Sequence, residues 1–439
     1  MTQTQPPLWR QLQQVSTVLQ AILVGRSGTA ALNDVPDWTR PGVQALSFAV
    51  WRQLGRAQAL RKHLAARPPP APVDALLCVA LALVWQKNAA QYDEFTLVNQ
   101  AVEAAKRTPA TRAHAAFINA CLRRFLRERV ALLARTDVDL VAQWNHPIWW
   151  INRLQSDWPT RWQAILRAAS SPAPMTLRVN VRKSTQTDYL ARLAQASIQA
   201  VPVGDSGVML LDPRPVADIP GFGDGVVSVQ DGAAQTAAPL LLSGWTARVG
   251  MRVLDACAAP GGKTAHLLEL ADLALTAVDV DPERCQRIQQ TLQRLGLQAE
   301  VQVADVGNVA SWWSGELFDA VLLDAPCSAS GIVRRHPDIP WLRRSTDIEQ
   351  LAAKQKELLR RLWPVVKPGG RLLYCTCSVF SAEGQQQTDT FLATHADARL
   401  LPSPGHLLPL DNAGSSITKD NQAHDQDGFY YALLEKKAA

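Results

Sequence analysis

The stretch Val253 to Glu269 reads VLDACAAPGGKTAHLLE. An apolar run ending at Asp255 predicts a strand, the paired glycines Gly261 and Gly262 predict a tight turn, and the residues from Lys263 onward predict a helix. A strand, a glycine turn and a helix in that order place backbone N–H groups and a helix N-terminus at the carboxyl edge of a parallel sheet, the usual ligand position in α/β folds. The loop has neither G-x-G-x-x-G nor G-x-x-x-x-G-K-[ST], which disfavours NAD and ATP. A nucleoside cofactor without a pyrophosphate remains, and S-adenosylmethionine is the obvious one.

Working outward, LTAVDV, EVQVAD, FDAVLLDAP and RLLYCTCS are short apolar runs separated by helical stretches, the pattern of a parallel sheet covered on both faces. DGFYYALLEKK predicts one further strand. Three of these runs end in carboxylates. Asp279 is placed to accept from ribose hydroxyls, Asp305 from an exocyclic amine of adenine, and Asp324 opens the box LLDAPCSASG. Any one of these aspartates alone is more often a helix cap, but three at successive strand ends point to a ligand.

Two thiols also fall at adjacent strand ends, Cys327 in DAPCS and Cys377 in YCTCS. Cytosine C5 is a poor nucleophile. A thiolate added at C6 turns the ring into an enamine that can take a methyl group at C5, and a second thiol can help the adduct lose its C5 proton and expel the first. Asp324 would steady the ring at N3 and N4. Cys375 and Cys377, two residues apart on a strand, read as neighbouring core thiols when taken alone. A zinc site built from Cys257, Cys327, Cys375 and Cys377 is disfavoured, because C-x-C in a strand splays poorly for tetrahedral ligation. No metal is expected. Lys263 is either catalytic or a cap on the cofactor loop, and His336 reads as part of an RNA-facing loop.

Before Val253 the pattern changes. Residues 1–140 are helical in periodicity. In AFINACLRRFLRERV, Phe117, Ile118, Cys121, Leu122 and Phe125 share one stripe, with Arg123, Arg124, Arg127 and Arg129 largely outside it. ARPPPAPVD (66–74) is a rigid break between helices. Residues 1–150 hold 17 Lys and Arg against 9 Asp and Glu, so the basic character of a chain with net charge +6 lies in its first third. That imbalance fits either a nucleic-acid grip or a solvated helix surface. The tryptophans Trp149 and Trp150 are read as packing between domains. From residue 172 to 245 a small mixed unit is expected: strand MTLRVNV, a helix over 184–197, strand VVSVQD and a helix from Ala233 to Leu242.

The 439 residues exceed one ordinary core and imply two or three domains. Seven scattered cysteines without an export signal argue against a disulfide framework. The longest apolar run, Ala75 to Trp85, is shorter than the ~18 residues a membrane span needs. A cytoplasmic protein is expected.

Together DACAAPGGKT, DAPCS and TCS resemble the Sun family of RNA (cytosine-C5) methyltransferases, and the similarity spans nearly the whole chain. LRVN (177–180), VSVQDGAAQ (227–235), RRHPDIPW (334–341), LVNQAVEAAKR and FINACLRR match the bacterial members that modify 16S ribosomal RNA. The resemblance implies a Rossmann-like methyltransferase domain over 246–439. It also implies an all-α NusB-like RNA-binding domain over 1–140 and a small α+β RNA-positioning connector over 141–245. It further implies S-adenosylmethionine held by Cys257, Ala258, Ala259, Pro260, Gly261, Gly262 and Lys263 with Asp279, Asp305 and Asp324. By the same resemblance Cys377 is the nucleophile and Cys327 assists product release. The family usually has Ala or Ser where this chain has Cys375. The expected partner is 16S ribosomal RNA or a small-subunit precursor, bound by a monomer. A tRNA cytosine methyltransferase of the same family and a non-catalytic NusB-like RNA-binding factor are the alternatives.

Overall fold

The computed structural model describes residues 6–86, 92–245, 249–409 and 425–438. The expected start of the catalytic domain at 246 falls outside the described residues. Contacts divide the chain into two compact units, one of Met1–Ser171 with Val333–Ser345, the other of Pro172–Ile332 with Thr346–Ala439.

Among the described residues the first unit is all helical. Its core is the buried side of several helices, among them Leu8–Leu23, Arg40–Trp51, Ala71–Val84 and Ala115–Thr136. Pro70 caps Ala71–Val84 and Pro72 lies in its first turn, where a missing N–H costs nothing, so the proline run does end one helix and start the next. On Ala115–Thr136 the apolar stripe packs as its spacing predicts, with Ile118, Cys121, Leu122 and Phe125 buried. Two of the arginines outside that stripe are paired with carboxylates. Arg129 pairs with Glu94 at 2.6 Å and donates to the Val84 carbonyl, while Arg124 pairs with Glu128 at 3.0 Å. Carboxylates one turn away and on the neighbouring helix take up two of the four cations.

Helices continue through Trp162–Ser170, and Trp150 is buried among them. The segment Val333–Ser345 completes this unit. Asp338 accepts from the Gly28 N–H at 2.9 Å, Trp341 Nε1 donates to the Trp51 carbonyl at 3.1 Å, and Arg52 donates to the Arg334 carbonyl at 3.0 Å. His336 is exposed on it. Among the described residues no helix is long and apolar enough to cross a membrane.

The second unit holds two sheets. Strands β1 (Met175–Val179), β2 (Ala200–Val203), β3 (Gly207–Leu210) and β4 (Val227–Val229) form a small antiparallel sheet in the order β2-β3-β1-β4. β1, β4 and the helix Gln186–Gln195 lie where the periodicity predicts. β2 and β3 were not foreseen, since runs of four residues carry too little alternation to read.

The large sheet contains β5 (Met251–Ala256), β6 (Leu273–Asp279), β7 (Glu300–Val303), β8 (Phe318–Asp324), β9 (Val366–Thr376), β10 (Ala398–Leu400), β11 (Gly405–Leu407) and β12 (Phe429–Lys436). Its order is β10-β12-β9-β8-β5-β6-β7, with β11 also paired to β12. The five strands from β9 to β7 are parallel, and β12 runs antiparallel to β9. Two apolar clusters, one per face, bury this sheet, so the strands read as continuous apolar runs rather than alternating ones. This is the Rossmann-like α/β architecture expected. Because β5 and β8 are adjacent and the strand order reverses there, the carboxyl ends of β5, β6, β8 and β9 open on one crevice.

Candidate active site

β5 delivers Asp255 and Ala256 into the sheet centre, and Cys257 then turns the chain with a positive φ of 62°. Gly261, at φ 92°, ends the turn and begins the helix Gly262–Leu270. A side chain at Gly261 would press on the Ile288 backbone at 3.1 Å, so both its conformation and its neighbour demand glycine. The loop is braced from β6: Ala258 N–H donates to the Val278 carbonyl at 3.0 Å, and Ala259 N–H donates to Asp279 Oδ2 at 3.0 Å. Arg284 donates to the Ala259 carbonyl at 2.7 Å. Pro260 completes the turn through a cis peptide bond.

Asp279 is almost fully buried, and its Oδ1 accepts from the Asp281 N–H at 3.2 Å. It therefore braces the loop as well as facing the crevice, and each oxygen keeps a second lone pair. Asp305 lies two residues beyond β7, exposed, with Oδ1 accepting from the Gly307 N–H at 2.9 Å and Lys354 Nζ 3.6 Å from Oδ2. Asp255 is buried and accepts from the Thr264 hydroxyl at 2.6 Å. Burial pushes its carboxyl up to about 7 despite that hydrogen bond. Burial also raises the Cys257 thiol, reinforced by the carboxylates of Asp324, Asp279 and Asp255.

At the end of β8, Asp324 Oδ2 accepts from Lys263 Nζ at 2.7 Å, and Oδ1 faces Cys375 Sγ at 3.5 Å. Lys263 also lies over the Phe429 ring, 5.3 Å from its centre. Burial pulls the ammonium down, and Asp324 with the neighbouring thiols outweighs it, so Lys263 stays charged.

Cys327 and Cys377 are both half-buried, with their sulfur atoms 3.4 Å apart. The Cys327 thiol is raised well above its ordinary range, first by the hydrogen bond with Cys377, then by burial and by the charges of Cys377 and Glu383. It holds its proton at neutral pH. Cys375, inside β9, is fully buried and borders the same apolar cluster as Cys377. Burial, then the Asp324 charge, raises its thiol well above the usual range. None of the seven cysteines is in a disulfide, and among the described residues no group of three or more His, Cys, Asp or Glu is arranged to hold a metal.

The arrangement fits a nucleoside sulfonium better than a phosphate. Lys263, the one cation in the loop, is committed to Asp324, while carboxylates at four strand ends supply acceptors and negative charge. At Gly262 an added side-chain atom would lie no nearer than 3.6 Å to Gln230 Nε2, which leaves room above the helix start.

Two contributors lay outside the sequence reading. Arg178 of β1 is completely buried and meets Glu269 with two hydrogen bonds of 2.8 Å, while donating to the Gly262 carbonyl at 2.9 Å. It clamps both ends of the first helix of the site. Its signal was the charge inside LRVN, which alternation would have put in solvent. The second is Glu383, fully buried a few residues beyond Cys377.

Residues 246–435 match the family model described as 16S rRNA methyltransferase RsmB/F, and residues 146–217 match an RsmF/B-like ferredoxin-like domain. Ribosomal RNA small subunit methyltransferase B of Vibrio cholerae is 38% identical over 434 residues, 96% of either chain. The protein of that name from Shewanella oneidensis is 45% identical over 321 residues, 73% of either chain. A solved methyltransferase homolog from Pyrococcus horikoshii superposes with a TM-score of 0.57 at 28% identity, covering 68% of this chain and 98% of its own. The chain belongs to the RsmB/F family of 16S rRNA methyltransferases and is an S-adenosylmethionine-dependent methyltransferase.

Proposed function

We propose that this enzyme methylates C5 of a cytosine in 16S ribosomal RNA, with Cys377 as nucleophile, Cys327 as the thiol of elimination and Asp324 as the group that holds the base. The supporting observation is the 3.4 Å approach of the two sulfur atoms at neighbouring strand ends. The relatives named above act on small-subunit ribosomal RNA by name, which favours that substrate over tRNA. When bound against the 257–263 loop, S-adenosylmethionine supplies an electrophilic methyl on a sulfonium.

Cys377, as the thiolate, bonds to C6, and the ring electrons move to C5. Asp324 holds the pyrimidine by accepting a hydrogen bond from its N4 amino group, and Lys263 keeps that carboxylate oriented. Once C5 carries its methyl, a solvent water takes the C5 proton, the C5–H electron pair returns to the ring as the C5–C6 double bond, and the C6–S bond breaks with its pair left on the Cys377 sulfur. Cys327, still protonated, donates a hydrogen bond to the departing Cys377 sulfur and stabilises its negative charge. Asp279, Asp305 and the loop backbone hold the cofactor. On this reading the helical residues 1–140 bind RNA, residues 141–245 position it, and the protein works in the cytoplasm as a monomer without a metal.

The test is methylation of unmodified 16S ribosomal RNA and of tRNA by purified enzyme, read by bisulfite sequencing. One protected cytosine in 16S RNA is expected with the wild type and none with Cys377→Ala, while Cys327→Ala accumulates an RNA–protein adduct that survives denaturation. Normal turnover by Cys377→Ala would remove the mechanism, and protection confined to tRNA would move the substrate.

A further inference from the structure

Each thiol of the pair is followed by a serine, Cys327–Ser328 and Cys377–Ser378. Both serines reach the same buried carboxylate. Glu383 Oε1 accepts from the Ser328 N–H at 2.7 Å, and Oε2 accepts from both the Ser328 hydroxyl and, at 2.6 Å, the Ser378 hydroxyl. Gln355, also fully buried, donates to Glu383 Oε1 at 3.3 Å and to the Pro326 carbonyl at 2.9 Å. The carboxylate itself is fixed, because its own main-chain carbonyl accepts from the Tyr374 hydroxyl at 2.7 Å and from the Thr376 hydroxyl at 3.1 Å, both on β9.

Backbone hydrogen bonds join the two loops on either side of the Cys327–Ser328 step, from Ala325 N–H to the Cys375 carbonyl at 3.0 Å and from Gly331 N–H to the Cys377 carbonyl at 2.9 Å, and the Glu383 carboxylate ties that step itself. A carboxylate shielded from water is tolerated only where donors satisfy it, and each hydrogen bond to a charged group is worth more than a neutral one. An apolar side chain would fill the same space without that directional demand. The placement of a carboxylate here, one residue beyond each sulfur, is therefore hard to account for by packing alone. We infer that Glu383 is a positioning residue that sets the spacing of the Cys327 and Cys377 thiols by holding Ser328 and Ser378 on one carboxylate.

The consequence rests on the reading that the two thiols act in succession. Adduct formation needs only Cys377, but release needs Cys327 at hydrogen-bond reach of the departing sulfur. Loosening the tie slows release more than binding, so kcat falls while KM holds, and the covalent adduct builds up during turnover.

The experiment uses Glu383→Gln in the full-length enzyme. The amide keeps the volume but removes the charge and one acceptor, so the Ser328 and Ser378 hydroxyls, which donate to the carboxylate, must turn and accept from an NH2 instead. The first readout needs no RNA: dibromobimane bridges two thiols a few ångströms apart, and the Cys327–Cys377 cross-linked peptide is quantified by mass spectrometry. We expect bridging to slow at least tenfold, kcat to fall at least tenfold, KM for RNA to change less than threefold, and the steady-state adduct fraction to rise. Ser378→Ala and Ser328→Ala each remove one hydroxyl leg; either is read in the same way if Glu383→Gln does not fold. Unchanged bridging overturns the inference whatever the activity does. Slower bridging with wild-type kcat and adduct level upholds the positioning role and instead defeats the two-thiol reading of turnover.

Discussion

Lys263 Nζ lies 2.7 Å from Asp324 Oδ2, with the lysine side chain 12% and the aspartate side chain 29% exposed. The lysine comes from the first turn after the cofactor loop and the aspartate from the end of the neighbouring strand, so this ion pair stitches the cofactor side of the crevice to the substrate side. Lys263→Met keeps the stem against Phe429 and removes the charge. A partly buried carboxylate then loses its cation, at a cost of about 1–3 kcal/mol after allowance for its exposure. Turnover should fall ten- to a hundredfold, with S-adenosylmethionine affinity, measured by calorimetry, changing less. Wild-type kcat in this variant would show that Asp324 needs no partner to hold the base.

Asp255 makes folding stability depend on pH. Its carboxyl is raised from an unfolded value near 3.8 to about 7, so the folded state holds a proton that the unfolded chain has released. Stability from this group is fully present below about pH 4 and is lost as pH rises through 7, with a slope of at most about 1.4 kcal/mol per pH unit between them. The buried Oδ1, which has no hydrogen-bond partner among the described residues, agrees with a neutral acid. Asp255→Asn should flatten that slope. Urea midpoints for the two proteins at pH 5, 6, 7 and 8 measure it, and parallel curves would refute the shift.

Much of the large sheet was legible because β5, β6, β8 and β9 are buried on both faces and bounded by glycine or by aspartate at their ends. Strand ends then located Asp279, Asp324, Cys327 and Cys377 in one crevice without any contact information. What stayed hidden is long-range and polar. Arg178 sits in a strand of the small sheet, and its fully buried guanidinium is explained by the distant Glu269, 91 positions away, together with the Gly262 carbonyl. The pairing of Arg129 with Glu94 likewise comes from two helices whose packing the periodicity of either one does not state. Glu383 ends the single 3-10 turn Ser381–Glu383, too short to show a period, so its ties to Ser328 and Ser378 could be read only once β8 and β9 were side by side.

Arg178→Met should destabilise the enzyme by about 3–5 kcal/mol, since it leaves Glu269 charged and unpaired in the interior. The same change frees the Gly262 carbonyl, and S-adenosylmethionine affinity should drop about tenfold. Arg178→Met with Glu269→Leu restores most of the stability, because no buried charge remains, but the affinity stays low. Chemical denaturation and calorimetry on the single and double variants separate the two effects. Recovery of affinity together with stability would mean that the clamp acts only on folding.

Cys375 is the thiol that its neighbours leave without a task. It is enclosed in β9 opposite Tyr431 on one side and Asp324 on the other, and its contact with Asp324 Oδ1, at 3.5 Å, is the long, weak kind that a thiol makes. With burial and a nearby carboxylate both raising its pKa, it remains a protonated thiol at neutral pH, which argues against Cys375 as the thiol that bonds to C6 in the proposed reaction. Cys375→Ala removes one buried sulfur and should cost about 1–2 kcal/mol of stability, with turnover within threefold of the wild type. The sharper measurement is adduct yield: Cys327→Ala with Cys375→Ala should trap as much RNA as Cys327→Ala alone. A double variant that traps none would make Cys375 the attacking thiol and Cys377 its helper.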